Sequence, residues 1–131
     1  MSINPVFIVT IIAVAAIFFV AFKGVKVNDC FQNLNVEGFK EKMKSPSKEV
    51  VVLDVRTSQE VAQDAIKGAI NIDVYASDFN QKIAELDKSK TYLVYCRSGA
   101  RSARACSQMC KEGFENIFNL QGGYLAWSRS K

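Results

Sequence analysis

The feature that most constrains this chain is a run of twenty uncharged residues close to its N-terminus. Residues 3–22 read INPVFIVTIIAVAAIFFVAF, and a helix of that length spans roughly 30 Å, the thickness of the hydrocarbon core of a bilayer. All 17 basic and all 13 acidic residues follow position 22. We therefore expect residues 1–22 to form a transmembrane helix that contacts lipid through residues 3–22, and the rest to form one soluble domain.

Two alternatives to a membrane anchor fit the apolar run less well. A cleaved secretory signal has a positive N-terminal region and a small-residue cleavage site, whereas this chain begins Met-Ser-Ile-Asn. A buried core helix would need cover on every face, which a chain of 131 residues provides poorly. The sequence favours an uncleaved anchor.

The charges that flank the run predict its orientation. Lys23 and Lys26 follow it directly, partly offset by Asp29, and no basic side chain precedes it. Positive charge is retained on the cytoplasmic side of membranes. We expect a single-pass protein of the inner (cell) membrane with its C-terminal domain in the cytoplasm.

Composition limits the chemistry available to the domain. The chain has no histidine, so the usual general base and the commonest metal ligand are both missing. Its net charge of +4 is spread without a basic tract, which suits small anions rather than nucleic acid. We expect neither a metal nor any other cofactor.

Four cysteines are present, and their spacing does not suit zinc. Cys30, Cys96, Cys106 and Cys110 contain no C-x-x-C pair. Two disulfides are an alternative, but a domain of this size folds without them, and a cytoplasmic location keeps thiols reduced. Cys106 and Cys110 share a helix face, with Cys106 expected in the core and a resolving role left open for either. Cys30 falls in the segment before the domain, and its role is open.

Strands alternate with short helices after a linker at residues 23–34, which predicts an α/β domain over residues 35–131. Its central, mostly parallel sheet should carry helices on both faces, preceded by the one transmembrane helix. The predicted strands are 49–55, 68–72, 91–95 and 116–120; the predicted helices are 35–44, one capped by Thr57 or Ser58, 77–86, 102–111 and one containing Trp127.

The strand at residues 91–95 leads directly into a cysteine and a short loop before the next helix. Successive backbone N–H groups in such a loop can point inward and bind an anion, helped by the positive end of the helix that follows. Arg97 and Arg101 add charge, and Gly99 allows an unusual backbone conformation. Cys96 alone could be a small apolar residue that ends a strand, but in this setting we expect a thiolate nucleophile.

The motifs around this loop resemble the rhodanese family. Residues 96–102 read CRSGARS and resemble its active-site loop; NLQGG at 119–123, LDVR at 53–56 and GAINI at 68–72 resemble further family motifs. With Glu60, Gly113-Phe114 and Trp127, the match covers roughly residues 35–128 in the order of the family. The resemblance implies a rhodanese fold and a thiosulfate sulfurtransferase that carries sulfur as a persulfide.

The resemblance also assigns residues to roles. Cys96 would be the nucleophile, and its acceptor would be cyanide, a thiol or a protein. The loop backbone would hold the transferred sulfur and the anionic end of the donor, at Arg97, Ser98, Gly99, Ala100 and Arg101. Related phosphatases have one more residue in this loop, and the four residues between Cys96 and Arg101 favour sulfur transfer over phosphate chemistry.

Asp54 and Arg56 are expected to support the edge of the sheet near the loop, with Glu60 as an ion-pair partner for Arg56. Where the family often has Gly-His-Ile-Pro-Gly-Ala, this chain has residues 64–69, DAIKGA, so contacts around that turn are expected to differ. One alternative is a membrane-tethered persulfide carrier or docking module with little turnover on small donors. Another is an inactive scaffold, which the intact loop argues against.

Overall fold

The computed structural model describes residues 30–45 and 49–131, which contain a sheet of five parallel strands. The order across the sheet is β1-β5-β4-β2-β3. The strands are β1 (Gln32–Leu34), β2 (Val50–Asp54), β3 (Ile70–Asn71), β4 (Thr91–Tyr95) and β5 (Asn116–Leu120). Parallel strands need crossover connections, and helices between them supply these connections. The predicted α/β class is confirmed.

Alternation along the central strand β4 divides the core into two clusters. Tyr92 and Val94 pack into one cluster and Leu93 and Tyr95 into the other, all at 1% exposure or less. Successive side chains of a strand point to opposite faces, so an unbroken apolar run predicts a sheet covered on both sides. Cys96 belongs to the first cluster and lies at the carboxyl edge of the sheet.

Five helices connect and cover the strands in the described part of the chain. They are α1 (Val36–Met43), α2 (Ser58–Gln63), α3 (Phe79–Ala84), α4 (Ala100–Lys111) and α5 (Gly123–Arg129). Helices α3 and α4 pack on one face through Phe79, Ile83 and Met109, and α1 and α5 pack on the other through Phe39 and Trp127. The predicted helices on both faces are confirmed.

The N-terminal predictions fall largely outside the described residues. The predicted transmembrane helix (1–22) and the first part of the predicted linker (23–29) lie there. Within residues 30–45 and 49–131, no helix has the length and apolar character needed to cross a bilayer. The linker prediction was wrong for residues 32–34, because these form β1 and pair in register with Phe118, Asn119 and Leu120 of β5.

The prediction of fully reduced cysteines was also wrong. Cys30 and Cys110 form a disulfide, with Cα atoms 5.9 Å apart, that joins the start of β1 to the end of α4. Cys96 and Cys106 are free and buried. Cys106 packs in the core as expected, and burial raises the pKa of its thiol. Both findings argue against a resolving role for Cys106 or Cys110.

We predict that this disulfide stabilises the domain. It closes a loop between residues 80 positions apart, so the double variant Cys30→Ser/Cys110→Ser should lose about 2–4 kcal/mol of unfolding free energy in urea titrations. Dithiothreitol should lower the stability of the wild type to that of the variant and leave the variant unchanged. Equal stability of the oxidised wild type and the variant would contradict the prediction.

Candidate active site

The loop after β4 is shaped by a glycine in the left-handed region. Gly99 has φ of +105° and immediately precedes the first turn of α4. A Cβ atom at this position would lie 3.4 Å from the carbonyl oxygen of Leu120 and from the backbone nitrogen of Gly122. Both the conformation and the close approach to the end of β5 therefore favour glycine here.

The Cys96 thiol lies beneath this loop and accepts hydrogen bonds from it. The Gly99 N–H donates to Cys96 Sγ at 3.1 Å, and the Ser102 hydroxyl donates at 3.3 Å. Burial by itself raises the pKa of the Cys96 thiol, but hydrogen bonds from Ser102, Gly99 and Ser98 outweigh burial and place the pKa below its ordinary value. A larger thiolate fraction at neutral pH makes Cys96 a better nucleophile.

Ser102 was absent from the predicted site residues, although its position in the CRSGARS segment was visible. The sequence places it at the start of a helix, where its hydroxyl could cap the backbone. In the structure it is fully buried and its hydroxyl contacts both Cys96 Sγ and the Gly99 carbonyl, at 3.1 Å from the latter. Only the curvature of the loop shows that this hydroxyl reaches the sulfur.

The start of α5 holds the other side of the loop. Tyr124 N–H donates to the Cys96 carbonyl at 2.8 Å, and Leu125 N–H donates to the Arg97 carbonyl at 3.0 Å. A Cβ atom at Gly123 would lie 2.5 Å from the Arg97 backbone and could not be accommodated without movement. The second glycine of the NLQGG segment therefore lets the helix end approach the loop.

Arg101 is paired with Glu60 rather than open to solvent. Its guanidinium donates to the two carboxylate oxygens of Glu60 at 2.7 and 2.9 Å. Hydrogen bonds from Arg101 are the main reason that the pKa of Glu60 falls to about 2. The expected Arg56–Glu60 pair was wrong, because Glu60 caps α2 together with Thr57 and from there faces the loop. A role of Arg101 in binding substrate stays a prediction.

Asp54 and Arg56 form a second, more deeply buried ion pair. They are 1% and 4% exposed, and Arg56 donates from Nε and Nη2 to the Asp54 carboxylate at 2.8–3.2 Å. Arg56 also donates to the Asp64 carbonyl at 2.8 Å and lies 4.6 Å from the ring centre of Tyr124. These contacts tie the end of β2 to α5, and the supporting role assigned to the pair stays a prediction.

A polar cleft of about 130 Å³ opens beside the loop. Its lining includes Arg56, Glu60, Arg97, Tyr124 and Leu125. The side chains of Arg97, Ser98 and Ala100 are exposed, so the predicted binding residues lie at the surface above the buried sulfur. Among the described residues, no group of three metal-ligating side chains comes together.

Comparison with known proteins decides the family. A family model described as the rhodanese-like domain matches residues 35–130. The chain belongs to the rhodanese family. A sulfurtransferase of Allochromatium vinosum is 35% identical over 83 residues, which are 63% of this chain and 76% of the relative. A candidate sulfurtransferase of Bacillus subtilis is 35% identical over 96 residues, 73% of this chain and 89% of the relative.

Solved structures agree with this assignment. A rhodanese-related protein of Thermoplasma volcanium superposes with a TM-score of 0.65 at 29% identity, covering 76% of this chain and 92% of the other. A rhodanese-like domain protein of Staphylococcus aureus gives a TM-score of 0.64 at 28% identity, covering 73% and 90%. The chain is therefore a rhodanese-like sulfurtransferase, and the predicted family and general activity are confirmed.

We predict that the Glu60–Arg101 pair makes the stability of this rhodanese depend on acid. The pKa of Glu60 is depressed in the folded state, so the pair stabilises the protein above about pH 4.5 and loses this effect as pH falls towards 2. Glu60→Gln should cost about 1–2 kcal/mol of unfolding free energy at pH 7, a value that allows for solvent screening, and less at pH 3.

The control for this measurement is the exposed pair of Asp78 and Lys82, whose side chains are 48% and 51% exposed. Asp78→Asn should change the unfolding free energy by less than about 0.5 kcal/mol at either pH. A Glu60→Gln effect that is the same at pH 7 and pH 3 would exclude the ion pair as its source.

Proposed function

We propose that this rhodanese moves a sulfane sulfur from thiosulfate or a persulfide donor to a thiophilic acceptor through a persulfide on Cys96. The observation that carries the proposal is the pair of hydrogen bonds to Cys96 Sγ from Gly99 and Ser102, which lower the pKa of a thiol at the end of a strand. Cys106, the other free thiol, has the opposite shift, because desolvation by burial dominates and raises its pKa.

The first half-reaction needs a thiolate and a place for the leaving group. The Cys96 thiolate attacks the outer sulfur of thiosulfate, a new S–S bond forms, and sulfite leaves with the electrons of the old S–S bond. Inward N–H groups of the loop and the N-terminus of α4 favour the negative charge on the sulfur throughout. Exposed Arg97 adds positive charge at the mouth.

The second half-reaction returns the enzyme to its starting state. A nucleophile such as cyanide or a thiolate attacks the outer sulfur of the persulfide, and Cys96 leaves as the thiolate. The same N–H groups that stabilise the attacking thiolate also stabilise the leaving one, so one arrangement serves both steps. A candidate thiosulfate sulfurtransferase of Schizosaccharomyces pombe, 37% identical over 92 residues that are 62% of this chain and 65% of the relative, supports thiosulfate as a donor.

We predict that thiosulfate adds one sulfur atom to the intact protein and that cyanide removes it. Cys96→Ser should abolish the mass increase, because a hydroxyl is a poor nucleophile at neutral pH. The matched control is Cys30→Ser/Cys110→Ser, which removes two sulfur atoms far from the loop and should keep the mass increase. A persulfide that forms in Cys96→Ser would place the chemistry on another cysteine.

Aryl phosphate hydrolysis should be negligible beside sulfur transfer.

A second candidate function is a persulfide carrier that docks to a protein partner. Tyr75 and Leu125 are 63% and 37% exposed, and Tyr75 lies beside Arg101 and Arg104 with ring-to-guanidinium distances of 5.7 and 6.0 Å. Aromatic and arginine side chains are common in protein interfaces. A carrier would form the persulfide once but turn over slowly on thiosulfate and cyanide, so steady-state rates distinguish it from an enzyme for small donors.

We also propose that residues 3–22 tether the domain to a membrane, but on the side opposite to the one predicted. Disulfides persist in oxidising compartments, and the Cys30–Cys110 pair opposes the cytoplasmic orientation suggested by Lys23 and Lys26. Protease added outside spheroplasts should then digest the domain, and thiol trapping should find the pair oxidised. A protected domain with four reduced cysteines would restore the cytoplasmic orientation.

A further inference from the structure

A buried amide connects the edge of the sheet to the catalytic loop. Asn119, at 3% exposure on β5, donates from Nδ2 to Asn33 Oδ1 at 3.0 Å and to the Gly99 carbonyl at 3.3 Å. Its own Oδ1 is buried and lacks a hydrogen-bond partner among the residues that the structure describes. The side chain thus satisfies two acceptors while its own acceptor is unsatisfied.

Such an arrangement lowers the stability of the fold. A buried polar atom without a partner carries the full cost of its desolvation, and an apolar side chain of the same shape would avoid that cost. Leucine at position 119 would remove this unsatisfied atom and leave no buried acceptor unpaired, because the Gly99 carbonyl keeps the Ala103 N–H and the exposed Asn33 can bond to water. The amide is explained instead by what its two N–H groups hold.

The group it holds is the residue that donates to the sulfur. Gly99 donates its N–H to Cys96 Sγ at 3.1 Å, and its carbonyl accepts from Ala103 N–H at 3.1 Å and from Asn119. Ser102 Oγ also lies 3.1 Å from this carbonyl, and its single O–H is shared between the carbonyl and Cys96 Sγ. Ser102 and Ala103 lie in α4, the helix that continues directly from the loop. Asn119 belongs to the sheet, so its hydrogen bond fixes Gly99 relative to β5.

The Gly99 carbonyl determines which way the amide of Asn119 faces, and Asn33 Oδ1 accepts its other N–H. Asn33 and Asn119 are register partners in β1 and β5. If the amide were turned over, Asn119 Oδ1 would face both the Gly99 carbonyl and Asn33 Oδ1, three acceptors together with no donor among them. The Gly99 carbonyl, which can only accept, therefore keeps the N–H groups directed at the loop, and the acceptor supplied by β1 holds the second N–H.

We infer that Asn119, hydrogen-bonded to Asn33, is a positioning residue that holds the Gly99 N–H on the sulfur of Cys96 and so keeps its thiolate stable. The inference rests on the proposed role of Cys96. Through Asn33, the three-residue edge strand β1 thus contributes to the reactivity of Cys96. The disulfide at Cys30 anchors the chain two residues before the start of β1.

The test compares the pKa of Cys96 with the stability of the fold. Asn119→Leu should raise the pKa of Cys96, read from the pH dependence of iodoacetamide alkylation, and slow alkylation at neutral pH by about three- to tenfold, the range expected for one lost hydrogen bond. Its midpoint of thermal unfolding should be equal to or higher than that of the wild type. A merely structural role would lower the unfolding midpoint and leave the pH profile unchanged, which overturns the inference.

Two further variants complete the test. Asn116→Leu, at the exposed opposite end of the same strand, is the matched control and should keep the wild-type pH profile. Asn33→Ala changes an exposed residue and should fold even if Asn119→Leu does not. It should shift the pKa of Cys96 upward by a smaller amount, and an unchanged pH profile of alkylation would overturn the inference. Intact-mass measurement of wild-type persulfide tests the proposed function separately, because alkylation reports the thiolate whether or not sulfur is transferred.

Discussion

The arrangement around Cys96 depends on how the loop carbonyls are satisfied. A loop can direct its N–H groups at a sulfur only if its carbonyl oxygens point elsewhere and find donors there. The carbonyls of Cys96 and Arg97 accept from the first N–H groups of α5, and that of Gly99 accepts from Asn119 and α4. The last helix, the last strand and the helix after the loop thus act together to keep the inner surface of the loop rich in donors.

This requirement explains why residues distant in sequence are constrained together. Gly123 must lack a side chain because α5 has to reach the Arg97 carbonyl, and Gly99 must take a left-handed conformation because its N–H has to turn towards the sulfur. Each glycine allows one approach of backbone to backbone. The chemistry of the thiol is consequently a property of the folded sheet edge, and a peptide with the loop sequence would not reproduce it.

Much of this architecture could be predicted because it depends on local pattern. The apolar run of β4 lies at residues 91–95 as predicted, and α1 lies within the predicted helix 35–44. Helix α4 begins at Ala100, two residues before the predicted start at residue 102, because Gly99 makes the turn out of the loop and is the N-cap residue of the helix. The Cys30–Cys110 disulfide, the Glu60–Arg101 pair and the Asn33–Asn119 contact join residues 80, 41 and 86 positions apart. Each depends on the register of the sheet or on the direction of a helix, which local periodicity does not specify.

The site presents less free positive charge than the number of its arginines suggests. Arg56 and Arg101 are each engaged by a carboxylate, Asp54 and Glu60 respectively, so neither presents a full positive charge to an incoming anion. The sulfur is surrounded instead by fixed N–H and O–H dipoles. Such dipoles stabilise a compact negative charge only at the position towards which they point. Each guanidinium is also held in place by its carboxylate, so the two ion pairs fix the walls of the site. A site of this kind stabilises the charge that alternates between Cys96 and its sulfur substrates, and it leaves the capture of the donor from solution to exposed groups such as Arg97.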